Sequence, residues 1–152
     1  MLPDNFLTFL LKAKKNTYAS GKPADSSSRP ASHDLTYVDE PFLYIDSYLG
    51  GYAFVGEEAV WYSGIPIWGM NYYGKMLNHD EIPEGFSDFL KSALLQVPRE
   101  LPFRGPVEYA EGVFLYQCKT SGDLSGFKGE ETILLYGNPI YRLDFHGGEI
   151  VQ

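Results

Sequence analysis

Two combinations of histidine and aspartate, His33 with Asp34 and Asp144 with His146, contain residue types that could transfer protons or bind a metal ion. His33 and Asp34 follow a stretch of small polar residues, which suggests a pair delivered by a loop. Alternatively, Asp34 accepts hydrogen bonds within a turn and His33 is only an exposed neighbour. Asp144 and His146 are two residues apart, so in a strand they share a face at hydrogen-bonding distance. The structural alternative is an exposed polar face on which Arg142 forms a local ion pair.

Two glutamates recur in similar sequence surroundings. The segment FVGEE ends at Glu58, and the segment FKGEE ends at Glu131. Alternate side chains of a strand share a face, so Glu58 lies with Val60, and Glu131 with Ile133, on the more apolar side. A carboxylate on that side must find a donor or stay protonated, because burial penalises its charged form.

These glutamates are predicted to be more buried than their neighbours Glu57 and Glu130. They either converge as a carboxylate pair, or brace the sheet by accepting hydrogen bonds from Arg104, a tyrosine hydroxyl or a loop amide. Arg104 lies between prolines in PFRGP, a setting that suits either an anion clamp or a buried partner for Glu58 or Glu131. Of the two glutamates, Glu58 is expected nearer a pocket, because a long Ser-rich loop precedes its strands.

Aromatic side chains could form the walls of a pocket for a flat ligand, although most would serve equally well as core residues. They are Trp61, Trp68, Tyr44, Tyr48, Tyr72 and Tyr73. The predicted pocket comprises His33, Asp34, Tyr44, Glu58, Trp61, Asn71, Tyr73, Arg104, Glu131, Asp144 and His146.

Motifs that would identify a cofactor or a reaction do not occur in the sequence. One cysteine and three histidines leave any metal site dependent on carboxylates, and neither a CxxC nor an HExxH spacing is present. There is no phosphate-binding loop, dinucleotide-binding glycine pattern, GxSxG elbow or cysteine-centred nucleophile signature. The sequence therefore predicts no metal and no cofactor, and leaves open whether the chain is an enzyme.

Length and charge narrow the classes of partner. The 152 residues are expected to form one domain spanning 1–152. A net charge of −8 disfavours nucleic acid, since phosphate binding depends on lysine and arginine. The uncharged stretch 59–74 is interrupted by glycine, proline, serine and asparagine, which predicts no membrane span. An unidentified small molecule is the expected partner, with a homodimer as an open alternative.

Cysteine usage indicates the compartment. Cys118 is the single cysteine, so no disulfide within the chain is available, and the first residues lack the pattern of a secretory leader. We therefore expect a cytoplasmic protein.

Hydrophobic spacing predicts two helices, each followed by four strands. The first helix covers 4–15 and has three lysines near its end; the second runs from Phe86 to Val97, between Pro83 and Pro98. A small, polar, Pro- and Ser-rich segment predicts a flexible loop over 19–32. The strands are predicted at 35–39, 42–49, 52–62, 65–73, 106–110, 113–119, 126–135 and 139–146.

The two helix-plus-four-strand units resemble each other in sequence. Residues 54–58 match 127–131, and at the same offset of 73 the segment MNYYG (70–74) matches LDFHG (143–147) in kind. Tyr37, Phe42 and Tyr44 match residues 72 positions later. We interpret this as an internal repeat, 4–75 and 83–148, whose α-β-β-β-β units are related by a pseudo-two-fold axis. The predicted fold is α+β, with antiparallel sheet packed against two helices.

Alternation within the last strand of each unit assigns its two faces. The predicted core face comprises Trp68, Met70, Tyr72, Tyr141, Leu143 and Phe145. The opposite face comprises Asn71, Tyr73, Arg142, Asp144 and His146.

Six ordered strings resemble a prokaryotic domain family of unknown function. They are SRPASHDL (28–35), YIDSYLGG (44–51), FVGEEAVW (54–61), MNYYG (70–74), PFRGP (102–106) and FHGG (145–148). Members of the family occur alone or behind a helix-turn-helix module, which implies an effector-sensing role by analogy. We expect no such module ahead of the first helix here, and the resemblance brings no established activity, cofactor or catalytic residue.

The leading functional prediction is a non-catalytic, small-molecule-binding or sensory module with its pocket between the two repeats. The alternative is a small hydrolase or isomerase that draws acid–base groups from Glu58, Glu131, His33, Asp34 and His146. Such an enzyme needs at least two of these groups in one cavity. A protein-interaction module is a third option, and a large exposed apolar patch would identify it.

Overall fold

Two helices lie against one face of an eight-stranded antiparallel sheet, which makes the fold α+β as predicted. The computed structural model describes residues 1–20, 27–78 and 81–152, and only the backbone of residues 19 and 20. The elements are α1 (Phe6–Ser20), β1 (His33–Asp39), β2 (Phe42–Gly50), β3 (Ala53–Tyr62), β4 (Ile65–Met76), α2 (Phe86–Leu95), β5 (Glu108–Glu111), β6 (Phe114–Asp123), β7 (Gly126–Leu135) and β8 (Asn138–Glu149).

The first helix extends to Ser20, beyond the predicted end at residue 15. Lys14, Thr17 and Tyr18 continue its buried face, so Lys14, one of the three lysines near the predicted helix end, points into the fold. Residues 19 and 20 therefore belong to the helix rather than to the predicted loop 19–32. Residues 21–26 of that predicted loop lie outside the described part of the chain.

All eight predicted strands are present, and their ends differ from the prediction by a few residues. The largest difference is at β6, which continues to Asp123 rather than residue 119. The β6–β7 ladder pairs Asp123 with Gly126, and the backbone amide of Ser125 donates to the Asp123 carboxylate at 2.9 Å. This tight turn keeps the two strands paired to the tip of the hairpin.

The strand order is β1-β2-β3-β4-β8-β7-β6-β5, so the last strands of the two halves pair at the centre of the sheet. Each half is an antiparallel meander of four strands. The register shifts once in β3–β4, after Val60, and once in β7–β8, after Ile133. The two halves thus share their element order and their irregularities, while the pseudo-two-fold axis itself stays a prediction.

Side chains of the central strands alternate between two faces, as the sequence predicts. The buried residues of β4 and β8 include Trp68, Met70, Tyr72, Tyr141, Leu143 and Phe145. The exposed ones include Asn71, Tyr73, Arg142, Asp144 and His146. We call the side covered by the helices the inner face and the opposite side the outer face.

Aromatic stacking joins each helix to the sheet. Phe9 of α1 stacks on Phe42 of β2 with ring centroids 4.6 Å apart. Phe89 of α2 stacks on Phe114 of β6 with centroids 5.0 Å apart. Buried aromatic rings contribute large apolar areas and defined contact geometry, so each helix is held over the second strand of its own half.

The two helices contain 15 and 10 residues. A membrane-spanning helix needs about 20 mainly apolar residues. No helix in residues 1–20, 27–78 or 81–152 meets that requirement.

Candidate functional site

Both glutamates singled out in the sequence are buried on the inner face. Glu58 and Glu131 are fully buried, whereas Glu57 is exposed and the Glu130 side chain is 39% exposed. The prediction about their relative burial is therefore confirmed. Each is bound to a cation of its own rather than to the other glutamate.

Glu131 accepts four side-chain hydrogen bonds. Arg104 donates two of them, from Nε and Nη2, both at 3.0 Å. The hydroxyls of Tyr116 and Tyr141 donate the others, at 2.6 and 2.9 Å. Burial opposes the charge of Arg104, but Glu131 together with Tyr18 and Tyr141 outweighs that effect and raises the pKa of the guanidinium. Of the two roles that the sequence allows for Arg104, the structure shows the buried ion pair.

Glu58 is bound by Lys14 of α1, whose Nζ also donates to the carbonyl oxygen of Phe103 at 2.7 Å. The Tyr18 hydroxyl donates a longer bond of 3.4 Å to Oε1 of Glu58. Burial lowers the pKa of Lys14, and the charge of Glu58 offsets only part of that effect. The ion pair in the first half therefore has fewer donors than its counterpart and a cation that is less firmly protonated.

A third buried carboxylate, Asp46, lies beside Glu58. The two residues face each other across β2 and β3, and Asp46 is 5% exposed. Its Oδ1 accepts a hydrogen bond from the Tyr72 hydroxyl at 2.5 Å. No described residue donates to its Oδ2, which is not among the fully enclosed polar atoms and is therefore accessible to solvent. Burial, reinforced by the charge of Glu58, raises the pKa of Asp46 to about 7. The protonation state of Asp46 is therefore expected to change in the neutral pH range.

Tyr72 reaches Asp46 because a glycine lies beneath its ring. Gly56 faces Tyr72 across β3 and β4, and a β-carbon at this position would collide with the phenol. The ring can therefore lie across β3 and place its hydroxyl beside β2. In the other half Gly129 lies in the same way beneath Phe145, which has no hydroxyl to donate.

Asp46 lines a cavity of about 500 Å³ between the two helices and the inner face, which we call the inner cavity. Side chains from both halves of the chain line it. Its buried polar groups belong to Tyr18, Asp46, Tyr72, Arg104 and Tyr141. Its apolar lining consists of Phe54, Met76, Ile82, Phe86, Leu90 and Leu94. A concave site of this size, mainly apolar with a few convergent polar groups, is typical of small-molecule sites.

Strand alternation places His33 and Asp34 on opposite faces of β1. His33 is exposed and lines the inner cavity. Asp34 is buried and accepts hydrogen bonds from the Ser28 amide at 2.8 Å, the Ser32 hydroxyl at 2.9 Å and the Ser47 hydroxyl at 2.7 Å. Although burial opposes ionisation, these bonds lower the pKa of Asp34 to about 2. Asp34 thus fastens the turns of residues 27–32 to β2, which is its structural alternative.

The remaining polar candidates lie together in a groove of about 800 Å³ on the outer face, which we call the outer groove. It contains Asn71, Tyr73, Asp144 and His146, all of which are exposed. Arg142 bridges Asp144 at 3.2 Å and a neighbouring glutamate at 2.7 Å. The outer groove is larger than the inner cavity, but its charged groups are solvated. A ligand there would gain less from each polar contact than at a buried group.

Residues 46–150 match the model of a family described as Domain of unknown function (DUF5680). The chain belongs to this family. The DUF5680 match begins at Asp46 and includes Tyr72, Arg104 and Tyr141, so most of the polar groups of the inner cavity lie within it. Neither a curated protein nor a solved structure matches the chain. Membership agrees with the predicted resemblance to a family of unknown function, and the helix-turn-helix fusion stays an expectation.

Five predicted pocket residues of this DUF5680 chain line neither the inner cavity nor the outer groove: Asp34, Glu58 and Glu131, whose partners are given above, and Tyr44 and Trp61. Tyr44 is fully buried in the core, and its hydroxyl has no partner among the described residues. Trp61 is partly exposed, next to the register shift of β3.

The acid–base candidates of the enzyme alternative are divided between the two faces. His33 lines the inner cavity and His146 the outer groove, whereas Glu58, Glu131 and Asp34 line neither. In residues 1–20, 27–78 and 81–152, no group of three His, Cys, Asp or Glu side chains is placed to hold a metal ion. The enzyme alternative stays a prediction without a shared cavity to support it.

Asp46, Lys14 and Tyr18 were not among the predicted site residues. Asp46 carried a detectable signal, because it shares strand parity with Tyr44 and Tyr48 and therefore falls on the inner face. Tyr18 carried none, because the first helix was predicted to end at residue 15. Lys14 lies within the predicted helix, but a lysine there is typical of an exposed position.

Proposed function

We propose that this domain binds a small molecule in the inner cavity. The observation that carries the proposal is Asp46, a carboxylate 5% exposed that lines the cavity and has an oxygen without a described partner. Tyr72 donates the hydrogen bond to this largely buried carboxylate, burying a charge is costly unless it is paired, and perturbed titratable groups in clefts are frequent at functional sites. A donor on the ligand would supply the partner that Oδ2 lacks.

The setting of Asp46 supports binding in preference to catalysis. General acid–base chemistry needs donors and acceptors that can reach the reacting atoms. Three buried polar groups beside Asp46 are already engaged: Tyr72 donates to Asp46, while Arg104 and Tyr141 donate to Glu131. A carboxylate surrounded by apolar side chains and by polar groups that already have partners suits recognition of a ligand. A sensory role would follow if binding altered the contacts between the two halves.

Thermal-shift screening with a metabolite library tests the proposal. A ligand of the folded state raises Tm in a concentration-dependent way. Two matched variants locate the site: Leu90→Trp adds an indole to the inner cavity, and Val55→Trp adds one to the outer groove. We expect Leu90→Trp to abolish the shifts and Val55→Trp to retain them.

Two results would overturn the proposal. The first is a library in which no compound raises Tm of the wild-type chain. The second is the reverse pattern, with shifts lost in Val55→Trp and kept in Leu90→Trp, which would move the site to the outer groove.

A further inference from the structure

We infer that the ligand of the inner cavity joins a protonated amine to an apolar body, with Asp46 as the counter-ion of the ammonium group. This inference rests on the proposed function and adds the chemical class of the ligand.

The buried charges leave one negative charge uncompensated when Asp46 is ionised. The pairs Lys14–Glu58 and Arg104–Glu131 are each internally neutral. Asp46 is the fifth charged group of this cluster, and among the described residues its hydrogen-bond donor is the neutral hydroxyl of Tyr72. A ligand that carries a positive charge would therefore neutralise the cluster, whereas an anion would add to the excess.

Titratable groups face Asp46 from every element around it. They are Lys14 and Tyr18 of α1, His33 of β1, Tyr48 of β2, Glu58 of β3, Tyr72 of β4, Tyr141 of β8, and Arg104 and Glu131 as an ion pair. The side chains that α2 contributes to the cavity are uncharged. Arg104 is the buried cation that lines the cavity, and two of its nitrogens donate to Glu131. An anionic ligand would thus meet a neutralised guanidinium beside an uncompensated carboxylate.

Aromatic rings form a second, independent feature that favours a cation. Six of the side chains that line the inner cavity are Tyr18, Tyr48, Phe54, Tyr72, Phe86 and Tyr141. The faces of aromatic rings attract ammonium and guanidinium groups. The guanidinium carbon of Arg104 already lies 5.5 Å from the centroid of the Tyr72 ring.

The apolar lining indicates that the cation has an organic body. Met76, Leu90 and Leu94 have no polar group to offer a hydrated ion, and burying apolar ligand surface against them is favourable. A compound with a hydrocarbon or aromatic part and one amine matches both parts of the cavity.

Isothermal titration calorimetry with three matched probes tests the class. The probes 2-phenylethylamine, 2-phenylethanol and 3-phenylpropanoate share a phenyl ring and carry a positive, no and a negative charge. At pH 8 we expect the amine to bind roughly tenfold more tightly than the alcohol. The propanoate should bind most weakly.

The preference for the amine should depend on pH. Alkylamines of this kind stay protonated well above neutrality, so the change comes from the protein. With a pKa of about 7 for Asp46, the carboxylate is mostly ionised at pH 8 and mostly protonated at pH 5.5, so the affinity for the amine should fall toward that for the alcohol at pH 5.5, a loss of nearly tenfold. The affinity for the alcohol should change little.

Three variants assign the effect to one residue. Asp46→Asn keeps the shape of the side chain but removes its charge, so it should lower the affinity for the amine to that for the alcohol and abolish the pH dependence. His33→Gln removes the imidazole that also lines the cavity, and loss of the pH dependence in this variant would overturn its assignment to Asp46. Asp144→Asn in the outer groove should keep both properties. If Asp46→Asn does not fold, the pH dependence of the wild-type chain with amine and alcohol decides instead.

The outcomes separate this inference from the proposed function. Equal affinity for amine and alcohol, or tighter binding of the propanoate, would overturn the ammonium assignment and leave a small-molecule site in place. Retention of the amine preference in Asp46→Asn would also overturn it. Failure of all three probes at millimolar concentration would count against the inner cavity itself.

Discussion

Glu58 and Glu131 occupy the same position in the two halves of the sheet, yet their surroundings differ. Glu131 faces Cys118 across β6–β7 and accepts four side-chain hydrogen bonds. Glu58 faces Asp46 across β2–β3 and accepts bonds from a lysine and, at 3.4 Å, from a tyrosine. The second half therefore contains a saturated ion pair, and the first half contains an ion pair next to an additional carboxylate.

Small changes in sequence produce this difference. Where the second half has Cys118 and Phe145, the first has Asp46 and Tyr72, and these two polar residues are bonded to each other. Polar side chains that brace a fold are usually saturated with partners. In the first half Asp46 lacks a full set of hydrogen-bond donors, and Asp46 also lines the inner cavity. We therefore assign a structural role to Glu131 and a role in ligand recognition to Asp46.

Removing the second-half glutamate should cause the largest loss of stability. Glu131→Ala leaves Arg104 buried without its counter-charge, and breaking a buried ion pair in this way costs about 3–5 kcal/mol. Arginine does not release its proton at accessible pH, so the cost should be similar at pH 7 and pH 9. Urea denaturation followed by circular dichroism measures it.

The matched variant Glu58→Ala should be less damaging at high pH. Burial already lowers the pKa of Lys14, so without Glu58 the folded state favours the neutral amine. The unfolded chain then holds more protons at Lys14 than the folded chain, and stability should recover as the pH rises from 7 to 9. Identical pH profiles for Glu58→Ala and Glu131→Ala would contradict the difference assigned to their cations.

Asp46→Asn should increase stability at pH 8. The pKa of Asp46 is about 7 in the folded chain and about 3.9 for an ordinary aspartate. At pH values between these two pKa values, the folded state binds more protons than the unfolded state. The free energy of unfolding of the wild-type chain therefore falls as the pH rises through that window, by up to about 4 kcal/mol. Asparagine does not ionise, so the variant should gain stability at pH 8 and little at pH 4.5. A variant less stable than wild type at pH 8 would show that the carboxylate is compensated.

Tyr72→Phe should have a smaller effect that depends on pH. It gives the first half the residue type of Phe145 and removes the donor to Asp46. The loss should be about 1–2 kcal/mol at pH 8, where the ionised carboxylate needs the hydroxyl, and less at pH 5. Tyr73→Phe changes an exposed hydroxyl of the same strand and serves as the control. Equal losses at both pH values would mean that Tyr72 stabilises the core independently of Asp46.

The smallest effect should come from the outer groove. Asp144→Asn removes one partner of an exposed ion pair with Arg142, and such pairs contribute little to stability. We expect an unchanged urea midpoint and unchanged ligand-induced thermal shifts. Loss of the shifts in this variant would give the outer groove the role assigned here to the inner cavity.

Periodicity in the sequence was sufficient to predict the elements and their faces. The parity of β3 and β7 correctly placed Glu58 and Glu131 inside, because side-chain direction in a strand depends only on alternation. The end of α1 could not be predicted in this way. Lys14 resembles a solvent-exposed lysine until Glu58, 44 residues away, is brought to it by the fold.

The candidate site was predicted only in part. Arg104 and His33 line the inner cavity, but their roles depend on partners far apart in sequence. Asp46 could have been predicted from the internal repeat. The match of Tyr44 with Tyr116 aligns Asp46 with Cys118, so the first unit has a carboxylate where the second has none. The cavity itself depends on how the helices and the sheet pack, and no local pattern specifies that.

The most direct test of the account is the pH titration of the Asp46 carboxyl carbon by ¹³C NMR, with the signal assigned by its absence in Asp46→Asn. We predict a midpoint at a pH of about 7 in the free chain. Saturation with 2-phenylethylamine should lower the midpoint by at least about one pH unit, because a bound ammonium favours the ionised carboxylate. A midpoint near 4 in the free chain, or one that the amine leaves unchanged, would contradict the claim that Asp46 is an uncompensated carboxylate facing the ligand.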